Sequence, residues 1–132
     1  MHALTIHAVS IYNIGMKLSR THEAVSAYMT HLLNDYRTYR VEAGQPMPED
    51  MDDDASYHVV PGSKYLKVVK NMYGDSDSVH SFIVRTDIPK LGFVAGDILK
   101  AGTWKAPATN FSRGNVFTPD TYVERARWTS VS

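Results

Sequence analysis

The clearest pattern of apolar residues lies in "THEAVSAYMTHLLNDYRTYRVEAG", which spans residues 21–44. Apolar side chains recur there every three or four positions, which is the spacing of one helical face. The members of this stripe are Val25, Tyr28, Met29, Leu32, Leu33, Tyr36 and Tyr39. Thr21 is a suitable N-cap, and Gly44 followed by Pro46 is a typical stop signal. The pattern predicts an amphipathic helix over residues 22–43 that needs a surface to cover.

Two later stretches show the alternation of a β-strand instead. They are "SKYLKVVKNMYG" (63–74) and "SVHSFIVRT" (78–86), and the residues between them are typical of an antiparallel turn. The alternation places Leu66 and Val68 on one face, and it sets Ser81 opposite His80. We therefore predict two paired antiparallel strands.

Weaker signals suggest further elements around this pair. "KLGFVAGDILKAG" predicts a third and a fourth strand hinged at Gly96 and Asp97, and "GNVFT" predicts a short fifth one. Thr118 and Pro119 are typical of the start of a helix, which predicts a brief one in "DTYVERARW". The first 15 residues alternate like a strand, yet Met16 also resembles a chain start, so they are either a strand or an extension. The expected fold is α+β, with an antiparallel sheet of four to five short strands and the long helix on one face.

Charge divides the chain more sharply than its net value of zero suggests. Residues 46–56 carry five acids and no base, whereas residues 57–132 carry ten basic and six acidic side chains, a difference of +4. We predict one compact domain made of an N-terminal segment and helix (1–45), an acidic linker (46–56) and a β-rich module (57–132). The linker is expected to be exposed because it holds two prolines and cannot bury its acids. Alternatively, it folds back on the basic module as a mimic of phosphate charge.

Composition excludes several classes of protein. The chain of 132 residues has no cysteine, which removes disulfides, thiolate zinc sites and cysteine nucleophiles. A net charge of zero excludes a strongly basic, histone-like DNA binder. No apolar run approaches the roughly 20 residues needed to span a bilayer, and the N-terminus lacks a signal-peptide pattern, so we expect no membrane association.

Signals of catalysis are weak. The sequence contains no dinucleotide fingerprint, Walker loop, HExxH or GxSxG motif. His58 and His80 fall on neighbouring strands, with Asp75 or Asp77 nearby, but a metal site needs three or four convergent ligands. His80 as a general base needs a nucleophile and an orienting partner, and Ser81 is expected on the opposite face of the strand whereas Ser78 is expected on the same face. We favour the alternative, a half-buried strand histidine that is hydrogen-bonded to backbone. We therefore expect a protein without catalytic residues, metal or cofactor.

A binding face is better supported. Basic and aromatic side chains alternate along the strands and the following loop, and the candidates are Lys64, Tyr65, Lys67, His80, Lys100, Trp104, Lys105 and Arg113. Sheets that bind single-stranded nucleic acid use cations to follow phosphates and rings to stack on bases. The turn from Ser112 to Asn115 is also suited to anions, because Gly114 permits a positive φ. The alternative is that the lysines protect strand edges from aggregation and the rings lie in the core.

The stretches "KYLKVV", "SVHSFIV", "GDILKAGTWKAPA" and "RGNV", in that order, resemble a group of small uncharacterised proteins of tailed bacteriophages. The likeness covers about residues 63–117, and SVH…F and WKAPA are its most specific parts. It implies a phage origin, expression in the host bacterial cytoplasm and a compact α+β module, and it implies no catalytic residue. The leading hypothesis is a non-enzymatic phage accessory protein that binds single-stranded nucleic acid. The alternative is a module that binds a host protein through the acidic linker or the helix.

Overall fold

The computed structural model describes residues 16–45, 55–74 and 76–132. Helix α1 (Glu23–Glu42) precedes an antiparallel sheet whose strands lie in sequence order. The strands are β1 (Ala55–Pro61), β2 (Tyr65–Met72), β3 (Ser78–Val84) and β4 (Ile98–Lys100). The predicted α+β class is confirmed. The expectations for residues 1–15 and for most of the acidic linker fall outside the described residues.

Helix α1 begins at Glu23, one residue later than predicted. His22, not Thr21, is the N-cap, and its Nδ1 accepts a hydrogen bond from the Ala24 N–H at 3.0 Å. Thr21 instead bonds Ser19 through its backbone N–H and its hydroxyl. At the other end Gly44 has a φ of +70°, so the predicted stop signal is confirmed.

The apolar stripe of α1 packs on the sheet as expected. Val25, Tyr28, Leu32 and Tyr36 are buried, whereas Tyr39 stays 38% exposed at the end of the stripe. Leu66, Val68 and Ile83 meet this stripe from the sheet, and the C-terminal part adds Val116, Tyr122, Ala126 and Val131. Burying this many apolar side chains between one helix and one sheet face supplies the main driving force for folding.

No bounds for β1 were predicted from the sequence, although His58 was expected on a strand next to that of His80; in the structure β2 lies between these two strands. Strand β1 begins at Ala55, inside the segment predicted as a linker, and pairs with β2 from Ala55↔Met72 to Pro61↔Leu66. The predicted strands at β2 and β3 are confirmed.

The segments after β3 are less regular than predicted. The proposed third strand is replaced by the 3₁₀ turn Pro89–Leu91 and an isolated Ile88–Phe93 bridge. "GNVFT" forms single bridges through Asn115 and no strand. The predicted helix after Thr118 is limited to the 3₁₀ turn Pro119–Thr121. Short segments rich in Gly, Pro and Asn carry too little regular pattern to sustain a ladder or a helix.

A register shift between β2 and β3 changes the orientation of His80. Val68 pairs with Ser81 and Val69 pairs with Val79, so His80 is the extra residue of a bulge. His80 Nδ1 lies 2.9 Å from Ser81 Oγ, and the Tyr28 hydroxyl lies 2.8 Å from the same oxygen. The prediction that His80 and Ser81 face opposite sides is therefore wrong, because strict alternation ends at the bulge.

Side chains from α1, β1, β2 and β3 donate hydrogen bonds to the irregular C-terminal segment. Four successive backbone carbonyls, from Ala126 to Thr129, accept hydrogen bonds of 2.6 to 2.7 Å. The donors are His31, His80, Tyr57 and Lys70, in that order. Asp35 adds a bond from the Trp128 N–H at 2.7 Å and an ion pair with Arg127 at 3.0 Å. We call residues 126–129 the C-terminal clamp.

The sheet face opposite α1, the outer face, is covered only in part. Phe82, Val84, Phe93 and Leu99 form a second small core there under the loops that flank β4. The start of β2 lies beyond this cover, and the candidate site is found at that place. Across the described ranges, no helix combines the length and the apolar character that crossing a membrane requires.

Candidate functional site

A groove of about 350 Å³ opens on the outer face beside the turn that joins β1 to β2. Its lining residues are Val60, Pro61, Gly62, Ser63, Lys64, Tyr65, Lys67, Phe82 and Lys105. Three of them are lysines and none is acidic, so the groove presents positive charge beside two aromatic rings. We call this cleft the lysine groove.

The turn that forms one wall of the groove is held firmly. The Gly62 N–H donates to the Tyr65 carbonyl at 2.8 Å, and the Gly62 carbonyl accepts from Arg85 Nη1 at 2.6 Å. The Arg85 N–H also donates to the Lys64 carbonyl at 3.0 Å. Arg85 therefore stabilises the turn through these bonds, whereas the Lys64 side chain is exposed at the mouth of the groove.

The opposite wall is the tip of a tight loop that follows β4. The N–H groups of Gly102 and Thr103 both donate to the Ala106 carbonyl, at 3.0 and 2.8 Å. Thr103 Oγ1 accepts bonds from the backbone of Lys105 and Ala106 at 3.2 and 3.1 Å. A Cβ on Gly102 would lie 3.1 Å from the Ala106 oxygen, so a larger residue there would require the loop to shift by a few tenths of an ångström. The loop thus presents Trp104 and Lys105 at its tip.

Trp104 and Lys67 meet across the groove. The Lys67 ammonium lies 4.5 Å from the centre of the Trp104 ring, which is within the range of a cation–π contact. Trp104 nonetheless remains 51% exposed. Tyr65 and Phe82 stack edge to face at 5.9 Å on the floor. A planar ligand with negative charge would therefore find an open ring and three ammonium groups already in place.

The structure brings together five of the eight residues predicted from the sequence: Lys64, Tyr65, Lys67, Trp104 and Lys105. Lys100 is exposed but pairs with Ser81 in the sheet, so alternation directs it to the side that faces α1. The other two predicted residues, His80 and Arg113, are buried. These three residues do not belong to the lysine groove.

His80 is sealed within the molecule at 2% exposure. Its Nε2 donates to the Arg127 carbonyl at 2.7 Å, so Nδ1 is the acceptor for the Ser81 hydroxyl. Burial lowers the pKa of His80 to about 4, which keeps the ring neutral at pH 7. A serine and a histidine in contact resemble a nucleophile and its base, but Ser81 is fully buried and no substrate can reach it.

Arg113 is buried as well, at 5% exposure. Its guanidinium carbon lies 3.9 Å from the centre of the Phe111 ring, and Nη2 donates to Asn110 Oδ1 at 3.0 Å. Gly114 does have the expected positive φ, of +132°, but its N–H is bonded to Ser112 Oγ at 3.2 Å. The turn therefore does not present that N–H to an anion, contrary to the expectation from the sequence.

Sequence reasoning missed the wall of the groove that β1 and its turn supply. "VVPGS" (59–63) contains a turn signal, Pro61–Gly62, directly after two β-branched residues, and this could have indicated the end of a strand. Within residues 16–45, 55–74 and 76–132, no three His, Asp or Glu side chains converge as a metal site would require.

Two surfaces were proposed as the contact for a host protein, the helix and the acidic linker. Tyr28 and Tyr36 of α1 are buried against the sheet, which leaves Tyr39 as the exposed tyrosine of the helix stripe. Residues 46–54 of the acidic segment lie outside the described residues.

The fold and the groove define a small α+β protein with an open cationic and aromatic cleft on its sheet. Residues 16–130 match the model of a family of unknown function, DUF7717, and the chain belongs to that family. No curated protein matches the chain, and no solved structure does. The family description names neither an activity nor a source, so the phage origin inferred from the sequence stays a prediction.

Proposed function

We propose that the protein binds single-stranded nucleic acid through the lysine groove. The observation that supports this most is the contact between Lys67 and the half-exposed ring of Trp104, with Lys64 and Lys105 beside it. A base has a π-face that stacks on such a ring, and its phosphate pairs with an ammonium group. Paired bases in a duplex do not offer these faces, so the groove favours a single strand.

The size of the groove limits the contact to a short piece of the strand. A volume of about 350 Å³ lies at the lower end of ordinary ligand pockets, so it holds one nucleotide rather than several. The adjoining phosphates then meet the three lysines. With three phosphate contacts on a single strand, the slope of log affinity against log salt is expected to be about −2.

The role of this binding is a part of the same proposal. We infer an accessory protein that acts on exposed strands in the cytoplasm of a phage-infected bacterium, without catalysing a reaction. This part rests on the sequence resemblance, whereas the proposed binding rests on the groove.

The test measures the fluorescence anisotropy of a labelled oligothymidylate at several salt concentrations. The double variant Trp104→Ala with Lys105→Ala is expected to bind at least about 10-fold more weakly, because one stacked base contributes about 1–3 kcal/mol. Arg37→Ala removes an exposed charge from α1, on the other side of the sheet, and serves as the control. Equal affinity of the wild type and the double variant, or no binding at low salt, would refute the proposal.

The competing hypothesis of a host protein partner needs a different measurement. The tagged chain is purified from host lysate with and without nuclease. Nucleic acid that co-purifies only without nuclease supports the groove, whereas one stoichiometric protein that survives nuclease supports the alternative.

A further inference from the structure

Arg113 is a buried cation without an ionic partner among the described residues. Its Nη2 donates to the neutral amide oxygen of Asn110, its plane lies against Phe111, and its Nε has no acceptor. By contrast, the exposed Arg127 pairs with Asp35 at 3.0 Å. Asp97, on the segment beside Arg113, is committed to the Val94 N–H and the Asn115 amide at 2.9 and 3.1 Å.

Such an arrangement is unfavourable unless something else compensates the charge. Among the guanidinium nitrogens Nε is the one buried without an acceptor, and neither the Asn110 amide oxygen nor the Phe111 ring satisfies it. A buried donor without an acceptor calls for an explanation, and an ion or a water at that position is one of them. An apolar side chain of similar length would fill the same space without this cost, so the charge itself calls for an explanation.

The surroundings of Arg113 favour an anion. Residues 98–119 contain no Asp or Glu. The backbone N–H groups of Asn110 and Ser112 donate to no other described residue, so they are available as further donors. Phe111, which covers the guanidinium, is itself 49% exposed.

We propose that Arg113, together with Asn110 and Phe111, forms a binding site for a phosphate-type oxyanion. The planar fork of a guanidinium bonds two oxygens of such an anion at once, which an ammonium group cannot do. The anion is either free phosphate or a phosphate of a nucleic-acid strand. The site lies beside the start of β4, where the Arg113 N–H donates to the Ile98 carbonyl at 2.7 Å, and it does not depend on the lysine groove.

The first test needs no substitution. The Nε–H resonance of Arg113 in the intact chain is followed by NMR during titration with inorganic phosphate, and sodium chloride at the same ionic strength is the control. A short oligonucleotide forms a second titration. A saturable shift with phosphate identifies a site for the free anion, and a shift with the oligonucleotide alone identifies a strand phosphate. A resonance that responds to neither overturns the proposal.

The second test compares Arg113→Met with Arg37→Met, which removes an exposed arginine. In chloride, Arg113→Met is expected to unfold at the same temperature as the wild type or higher, because an uncompensated buried charge is lost. Phosphate at ten times its Kd should raise Tm by about 4 °C in the wild type and in Arg37→Met, but not in Arg113→Met. A lower Tm of Arg113→Met in chloride, with the response to phosphate retained, would show a purely structural arginine.

The two proposals fail separately. If Trp104→Ala with Lys105→Ala abolishes oligonucleotide binding while Arg113 still responds to phosphate, both proposals hold. If the double variant binds as well as the wild type and Arg113 responds, only the lysine groove is refuted.

Discussion

Two tryptophans of this protein each lie beside a lysine from β2, on opposite faces of the sheet. The Lys67 ammonium is 4.5 Å from the Trp104 ring on the outer face. The Lys70 ammonium is 5.9 Å from the Trp128 ring on the side of α1. The bulge at His80 of β3 lies opposite Val68 and Val69, which are the two residues between these lysines. Each pair consists of a lysine from β2 and a tryptophan from a later segment, yet the two pairs differ in burial and in their other contacts.

The difference lies in the other contacts of each pair. Trp128 is half-buried, with the rings of Tyr36 and Tyr39 at 5.1 and 4.9 Å, and Lys70 donates to the Thr129 carbonyl at 2.6 Å. Burial also lowers the pKa of Lys70. Trp104 is half-exposed at the tip of a loop, and Lys67 makes no hydrogen bond to any described residue. A lysine and a tryptophan in contact therefore indicate a binding site only when neither is needed elsewhere.

The largest expected effect comes from removing the two rings in turn. Trp128→Ala should lower the free energy of unfolding by about 3–4 kcal/mol, because a packed ring is lost from the C-terminal clamp. Trp104→Ala should change it by less than about 1 kcal/mol, since the ring is half-exposed and loses one cation–π contact. Urea unfolding followed by circular dichroism measures both values. Equal losses would mean that Trp104 is structural too, and the comparison would collapse.

The next largest expected effect is a loss of stability in acid, and it involves the region of the C-terminal clamp through His80. The folded state holds the pKa of His80 at about 4, below the ordinary 6.5, so the unfolded chain binds the proton more readily between these values. Stability is therefore full above pH 6.5 and falls by about 3 kcal/mol as pH drops to 4. Trp128 should report this loss, because His80 bonds the Arg127 carbonyl next to it.

The control for this pH dependence is His80→Gln. Glutamine can donate to the Arg127 carbonyl but does not titrate, so its unfolding free energy should vary less between pH 6.5 and 4. His31 and Asp35, which also contact the C-terminal clamp, remain in both chains and cancel in the comparison. An identical pH profile for His80→Gln and the wild type would show that His80 is not the source of the acid sensitivity.

The sequence predicted the regular parts of this fold and failed where backbone order depends on distant side chains. Periodicity located α1 and β2, which each bury mainly one face, and β3, whose apolar run is buried on both faces. It could not locate the C-terminal clamp, whose donors His31 and Lys70 are 95 and 59 residues away from their acceptors. No local pattern encodes such contacts.

The same limit applies to the candidate site. The sequence grouped Lys64, Tyr65 and Lys67 because they are neighbours on one strand, and Trp104 with Lys105 because they are neighbours on one loop. No local pattern showed that the strand and the loop lie side by side. Sequence reasoning failed for His80, because the bulge reversed the expected direction of that side chain. It also failed for Arg113, because an arginine is rarely buried without a partner and nothing in "NFSRGN" signals that burial.

The smallest expected effect, and the sharpest, comes from replacing the two lysines by methionine. Lys70→Met should cost about 1 kcal/mol of stability, through the lost bond to the Thr129 carbonyl, and should leave oligonucleotide affinity unchanged. Lys67→Met should change the free energy of unfolding by less than about 0.5 kcal/mol. It should also reduce the slope of log affinity against log salt by about 0.7, which is the contribution of one phosphate contact. Methionine keeps the length of the apolar stem, so each variant removes little more than the charge. Urea unfolding and anisotropy on the same two preparations give all four values. If Lys70→Met flattened the salt dependence and Lys67→Met did not, nucleic acid would bind on the side of α1, and the roles of the two pairs would be exchanged.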